Sequence, residues 1–311
     1  MPELPVISKE EMADALRRSG YLIEYRIEDM LRRHGYHVSA NTTHPDPITR
    51  KPRELDLSAI IAERASSSDK DWIFALCLIE CVNNPYPLAF LTKEPEVPSV
   101  HAYDIFVSGL PAHVRRRGGK SIAWARWTRV GDYLRMEDYH HYCKGRVATQ
   151  YCSFAPKRNT KPVEWMAWHE EGHFESFGKL CAVVNHDIDD HFTNTITLLN
   201  DRVNLQIYYP IVVVGGELLD VRLDTDPMPI EPVDHIHYIQ SWIAGDRERR
   251  YHIDVVTERF FPALISEIAN ETKEFGKRAK ANKALLHKSI DIMAKAAKAS
   301  PDELQTIIRP R

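Results

Sequence analysis

Apolar positions along this chain repeat with two periods, and the switches between them mark out the elements. In YLIEYRIEDMLRRHGYHV (21–38), Ile23, Ile27 and Met30/Leu31 recur at helical spacing, and Gly35 falls where a C-cap belongs. Ahead of it, Ser8 and Glu11 have the spacing of a capping box, predicting a helix from there to about Ser19, with Gly20 a break or spanned. Tyr36 to Ala40 reads as a short strand and Asn41 to Pro52 as a polar loop. ELDLSAIIA (54–62) and WIFALCLIECV (72–82) read as strands, and the short link between them favours an antiparallel hairpin. Folded about the middle of that link, the hairpin sets Asp56 roughly opposite Glu80. A slip of one residue would undo this register, because strand side chains alternate faces.

Further along, HAYDIFVSGLP and SIAWARWTRV look like strands separated by RRRGGK (115–120). A helix is predicted from about Phe174 to Val184. VNLQIYYPIVVVGGELLDVRL (203–223) reads as two strands joined by a hairpin turn at Gly215-Gly216. HIHYIQSW and YHIDVV are further strands. From Glu258 to about Ala299 a helical pattern places Phe275, Ala279, Leu285/Leu286, Ile290 and Met293 on one face.

Composition changes this picture little. The chain has 311 residues, 43% hydrophobic and 27% charged, ample for a buried core. A formal net charge of -3 means that no global basicity points to nucleic acid, so any such binding rests on local patches. The five cysteines, Cys77, Cys81, Cys143, Cys152 and Cys181, include no CxxC pair and read as reduced thiols. With no signal-like N-terminus and no bilayer-length apolar run, the expectation is a cytoplasmic protein with no membrane partner.

One residue stands out chemically. Glu80 lies near the end of an otherwise apolar strand, where a carboxylate costs several kcal/mol unless something compensates it. Paired carboxylates on adjacent strands can hold Mg²⁺ or Mn²⁺, and that cation would be the compensation. A helix carrying Glu24, then Gly35-Tyr36, then "ELDL" with Asp56, then "IEC" with Glu80, resembles the PD-(D/E)XK nucleases over roughly residues 20–92. The resemblance implies an α/β protein with a restriction-endonuclease-like core, a mixed central sheet flanked by helices, elaborated by an α+β C-terminal region. It further implies metal-dependent cleavage of nucleic acid, with DNA the expected substrate, Asp56 and Glu80 binding Mg²⁺ (or Mn²⁺) and Glu24 assisting. Nucleases of this family that cut both strands often work as dimers, so a homodimer is a compatible state.

The family's lysine, two residues after the motif Glu, is replaced here by Val82. Lys93 is the nearest downstream cation, and Asn83 or Asn84 are polar substitutes. If none serves, either the metal alone activates water, slowly, or the chain is a nuclease-fold protein that binds nucleic acid or a protein partner without cutting.

Two further features carry chemistry. Residues 169–173 read HEEGH, a match to HExxH, which on one helix would aim His169 and His173 at zinc with Glu170 as base. The metzincin continuation fails at Ser176 and Lys179, a third ligand would have to come from Asp187 or Asp190, and an ordinary helix start is the plainer reading. Arg115, Arg116, Arg117, Lys120 and Arg126, interleaved with Trp124 and Trp127, form a nucleic-acid-binding candidate. The working division is a nuclease-like domain at 1–130 and a mixed α/β region at 131–311 that ends in a basic helix, with one compact unit as the alternative.

Overall fold

The computed structural model describes residues 7–45, 51–65, 70–84, 86–95, 105–109, 113–115, 127–157, 162–169, 171–198, 203–224, 226–244, 247–288 and 291. Helices α1 (Lys9–Arg18) and α2 (Tyr21–Arg33) come first. The predicted capping box is present: Ser8 Oγ accepts from the Glu11 amide and Glu11 returns to the Ser8 amide at 2.8 Å. Gly20 caps α2, and Gly35 takes a φ of 83°, the left-handed conformation a helix stop requires. Strands β1 (His37–Pro45), β2 (Pro52–Arg64), β3 (Trp72–Val82) and β4 (Leu88–Lys93) follow, β1 running further than the predicted Tyr36–Ala40. Then come β5 (Val107–Ser108), β6 (His113–Arg115), β7 (Trp127–Arg129), the short α3 (Val130–Tyr133), β8 (Val147–Pro156) and β9 (Trp165–Trp168). Helix α4 (Glu171–Leu198) leads into β10 (Asn204–Val214), β11 (Leu218–Arg222), β12 (Ile230–Val233), β13 (His235–Ala244) and β14 (Arg247–Thr257). Helix α5 (Phe261–Ala281) completes the set.

The protein is α/β. Its main sheet is mixed, in the order β1-β2-β3-β10-β14-β13-β8-β4-β11-β12, with helices on both faces. The β1-β2-β3 meander is antiparallel, whereas β10 runs parallel to both β3 and β14. Because β10 and β14 join β3, the sheet is continuous across the division at residue 130. Alternation along β3 sorts its side chains: Ile73, Ala75, Cys77 and Ile79 pack beneath α2 and α5, while Leu76 and Leu78 face α4. Stripes at helical spacing meet them, Ile23, Ile27 and Leu31 from α2 and Phe177, Leu180, Cys181 and Val184 from α4. Each fully buried Leu or Ile of this kind contributes about 1.5–3 kcal/mol.

The predicted hairpin at Gly215-Gly216 is not formed. β10 pairs with β3 and β14, while β11 pairs with β4 and β12. The parallel β3/β10 pair breaks at 83–87 and 215–217 and resumes as the parallel β4/β11 pair. The glycines permit close approach: a Cβ on Gly215 would lie 2.5 Å from Ile23 Cδ1, and one on Gly216 2.5 Å from the Asn84 carbonyl oxygen. The helix predicted from Glu258 begins at Phe261 and breaks at Asn282, with a further helical stretch at 283–288; Phe275, Ala279 and Leu286 are buried, and Ile290 and Met293 lie outside the described residues.

Candidate active site

Glu80 follows Leu76 and Leu78 onto the face covered by α4, and is 3% exposed. The β2–β3 register pairs Leu57 with Ile79, and one step on Asp56 lies opposite Glu80, as the hairpin argument required. The contact is direct: the Asp56 amide donates to Glu80 Oε1 at 3.4 Å, and the Cys81 amide donates to Asp56 Oδ2 at 2.7 Å.

The cation beside them comes from neither strand. Lys179 of α4 places Nζ 2.5 Å from Glu80 Oε2 and donates to the Glu54 carbonyl at 2.8 Å. It sits at the margin of the buried Phe177/Leu180/Cys181/Val184 stripe, so packing that stripe aims its ammonium at β2 and β3. The neighbouring Gly178 lets α4 approach closely, since a Cβ there would lie 2.5 Å from the Trp242 ring. Lys179 was legible only as a lysine flanking an apolar helix stripe, and nothing local ties it to a glutamate 99 positions upstream.

One ammonium does not offset this much buried carboxylate. Burial, then the charge of Asp56, raise the Glu80 pKa to about 8 despite Lys179. Burial raises Asp56 against the Cys81 hydrogen bond and the attraction of Lys179. Glu24 on α2 is close enough for the Asp56 charge to add to burial in raising it as well. The three carboxyl groups are therefore all held above their ordinary range, a state that a hard divalent cation relieves through oxygen ligation.

The substitutes named for the missing lysine lie elsewhere. Val82 is half-buried. Asn83 Nδ2 donates to the Arg17 and Ser19 carbonyls at 3.4 Å, and Asn84 Nδ2 to Ser153 Oγ at 3.4 Å, so both anchor the strand exit. Lys93 is exposed on β4, opposite Val147 and five strands from β3 in the sheet order. Arg26 of α2 donates to Glu258 Oε2 at 2.7 Å rather than to this cluster.

Of the basic patch, Arg115 ends β6, whereas Arg116, Arg117, Lys120 and Arg126 lie outside the described residues. In the C-terminal helix, Arg278 pairs with Glu274 and Asp138 and stacks over Tyr139, and Lys283 pairs with Asp71 at 2.8 Å. His169 precedes α4, so it does not share a helix face with His173, and its ring packs on Tyr151 and Phe174. Glu170 lies outside the described residues. The five cysteines are free thiols.

A second buried polar cluster was not foreseen. His141 Nδ1 lies 3.0 Å from Glu271 Oε1 on α5, and its Nε2 lies 3.1 Å from both oxygens of Asp254 on β14. His235 and the Tyr142 hydroxyl complete the Asp254 shell at 2.7 and 2.9 Å. The Tyr209 hydroxyl and the His141 amide complete the Glu271 shell at 3.2 and 2.5 Å. Burial alone would raise both carboxyls, but the His141 imidazolium and the surrounding donors hold them below their ordinary range. The two carboxylates in turn hold His141 well above its ordinary range, against its burial.

A cleft of about 370 Å³ opens at the ends of β10 and β14, between Gly215-Gly216 and Thr257–Arg259. Its walls include none of Glu24, Asp56, Glu80 or Lys179. Among the described residues no helix is long and apolar enough to cross a membrane. Comparisons with protein-family models, with curated proteins and with solved structures return no match.

Proposed function

We propose that the chain is a metal-dependent nuclease of restriction-endonuclease-like architecture, acting on nucleic acid, most naturally DNA, through Asp56, Glu80, Glu24 and Lys179. The observation that carries this reading is three carboxyl groups raised together with one lysine against them. Their hard oxygen donors suit Mg²⁺ or Mn²⁺, with Asp56 and Glu80 as ligands and Glu24 in support. When bound, the cation neutralises charge developing on the scissile phosphate and lowers the pKa of a water ligand. Lys179 would take the place of the lysine absent at Val82, its ammonium serving to orient the attacking water or hold a phosphate oxygen. The Cys81 amide fixes the Asp56 carboxylate and Glu54 fixes the lysine, so both reacting groups are positioned by backbone.

A second reading draws on the same ion pair. Lys179 itself sits on Glu80, as it would in a nuclease-fold protein that binds a partner without cutting. Against it stands the cost left on Asp56 and Glu24, which the lysine does not remove. Plasmid nicking with Mg²⁺ or Mn²⁺, against EDTA, decides between the two. Nicking that needs metal and is lost in both Asp56→Ala and Lys179→Met supports the nuclease. Absence of nicking, or nicking indifferent to Asp56→Ala, leaves the binding reading.

A further inference from the structure

Edge strand β1 and helix α4 meet at a second group of ligating side chains. His44, on β1, faces His186 and Asp187 on α4, and one donor atom from each lies within 4.8 Å of the other two. His44 Nδ1 is 3.5 Å from Asp187 Oδ1, and the two imidazoles contact edge to face with centroids 5.9 Å apart. That Nδ1–Oδ1 separation is long for a hydrogen bond. It is close to the roughly 3.3 Å between donors on a tetrahedral ion whose ligands stand about 2.0–2.1 Å away. His44 Nε2 is buried with no hydrogen-bond partner. Protein thus leaves this ring short of partners at Nε2, while the nitrogen placed to ligate is Nδ1, which faces Asp187.

We propose that His44, His186 and Asp187 bind a divalent transition-metal ion, zinc best fitting the donor set. Two nitrogens and one carboxylate oxygen suit a borderline ion and exclude Mg²⁺, which takes oxygen ligands and water. Three protein ligands leave a fourth position open. The site lies on α4 seven residues beyond Lys179, about 10 Å along the helix axis. On the strand side, His44 lies next to Thr43, which pairs with Glu54, the residue whose carbonyl holds Lys179. An ion here staples the outermost strand to the helix that delivers Lys179. The site does not depend on the chemistry assigned to Asp56 and Glu80, and its donors set it apart from them.

The test is titration of the EDTA-treated, full-length protein with Co²⁺, reading the visible absorption that a low-symmetry nitrogen–oxygen site produces. The expected result is saturation at one equivalent, displacement by Zn²⁺ but not by Mg²⁺, and a rise in melting temperature with Zn²⁺. The bands should vanish in His186→Ala and in Asp187→Asn and persist in His169→Ala. Circular dichroism of the metal-free variants shows that they remain folded, and Asp187→Asn preserves shape should His186→Ala not. A spectrum that survives both substitutions, one lost in His169→Ala instead, or no spectrum at one equivalent overturns the proposal.

Discussion

Two buried clusters in this protein use the same ingredients and reach opposite electrostatic states. Asp254 and Glu271 share His141, and Asp56 and Glu80 share Lys179, so each has two carboxyl groups around one cationic side chain. In the first, Asp254 receives three side-chain donors and Glu271 the His141 amide and ring and the Tyr209 hydroxyl, and both carboxyls are stabilised as anions. In the second, donors are few among the described residues, a third carboxyl stands nearby, and all three resist ionisation. Burial penalises charge in both places, more fully around Asp254 and Glu271. What differs is whether the protein supplies the compensating hydrogen bonds or leaves them to a ligand. Carboxylates whose oxygens are met by protein donors read as structure, and carboxyls left short of donors read as a site.

The sharpest way to break this comparison is Asp254→Asn. It leaves the His141 imidazolium facing a neutral partner, and should cost about 3–5 kcal/mol of stability by urea unfolding. A loss below about 1 kcal/mol would mean that the network is not satisfied in the way described. Next in size, Lys179→Met should lower metal-dependent cleavage by about 10²–10³-fold, the worth of one positioned donor facing developing charge, with folding retained. An unchanged turnover would remove Lys179 from the chemistry.

The pH dependence of stability should carry both signatures. Glu80 is raised in the folded state, so the fold binds its proton more tightly than the unfolded chain. Stability is therefore lost as pH rises from about the ordinary glutamate value of 4.5 to about 8, by on the order of a few kcal/mol without metal. Asp254 and Glu271 are depressed, so their contribution is present above the ordinary carboxylate range and lost as acid protonates the folded state. Urea midpoints against pH should show the alkaline slope flatten in Glu80→Gln while the acid limb remains. An alkaline slope identical in that variant would dissociate it from Glu80.

The smallest expected effect has the opposite sign to the first. Asp56→Asn relieves the crowded cluster and should stabilise the metal-free protein by about 0.5–1 kcal/mol while abolishing nicking, a trade common at functional sites. At tenfold excess over its dissociation constant, Mg²⁺ should add about 1.4 kcal/mol to the native protein and nothing to Asp56→Asn. Differential scanning fluorimetry with and without Mg²⁺ reads both, and stabilisation of the variant by Mg²⁺ would place the cation elsewhere.

Local pattern was sufficient for the capping box at Ser8, the helix stop at Gly35, the β2 and β3 strands and even the facing of Asp56 and Glu80. Each depends on residues near in sequence or on one short connection, where period and turn chemistry act directly. The Gly215-Gly216 break was misread because glycine signals a turn and a close approach alike, and only packing against Ile23 and Asn84 distinguishes them. Lys179, the His141–Asp254–Glu271 network and the His44–His186–Asp187 group all join residues more than 90 positions apart. Which strands carry the carboxylates follows from alternation and apolar runs, which are local properties. Which cation meets each carboxylate was decided only in the tertiary structure, by the side of the sheet on which α4 and α5 pack.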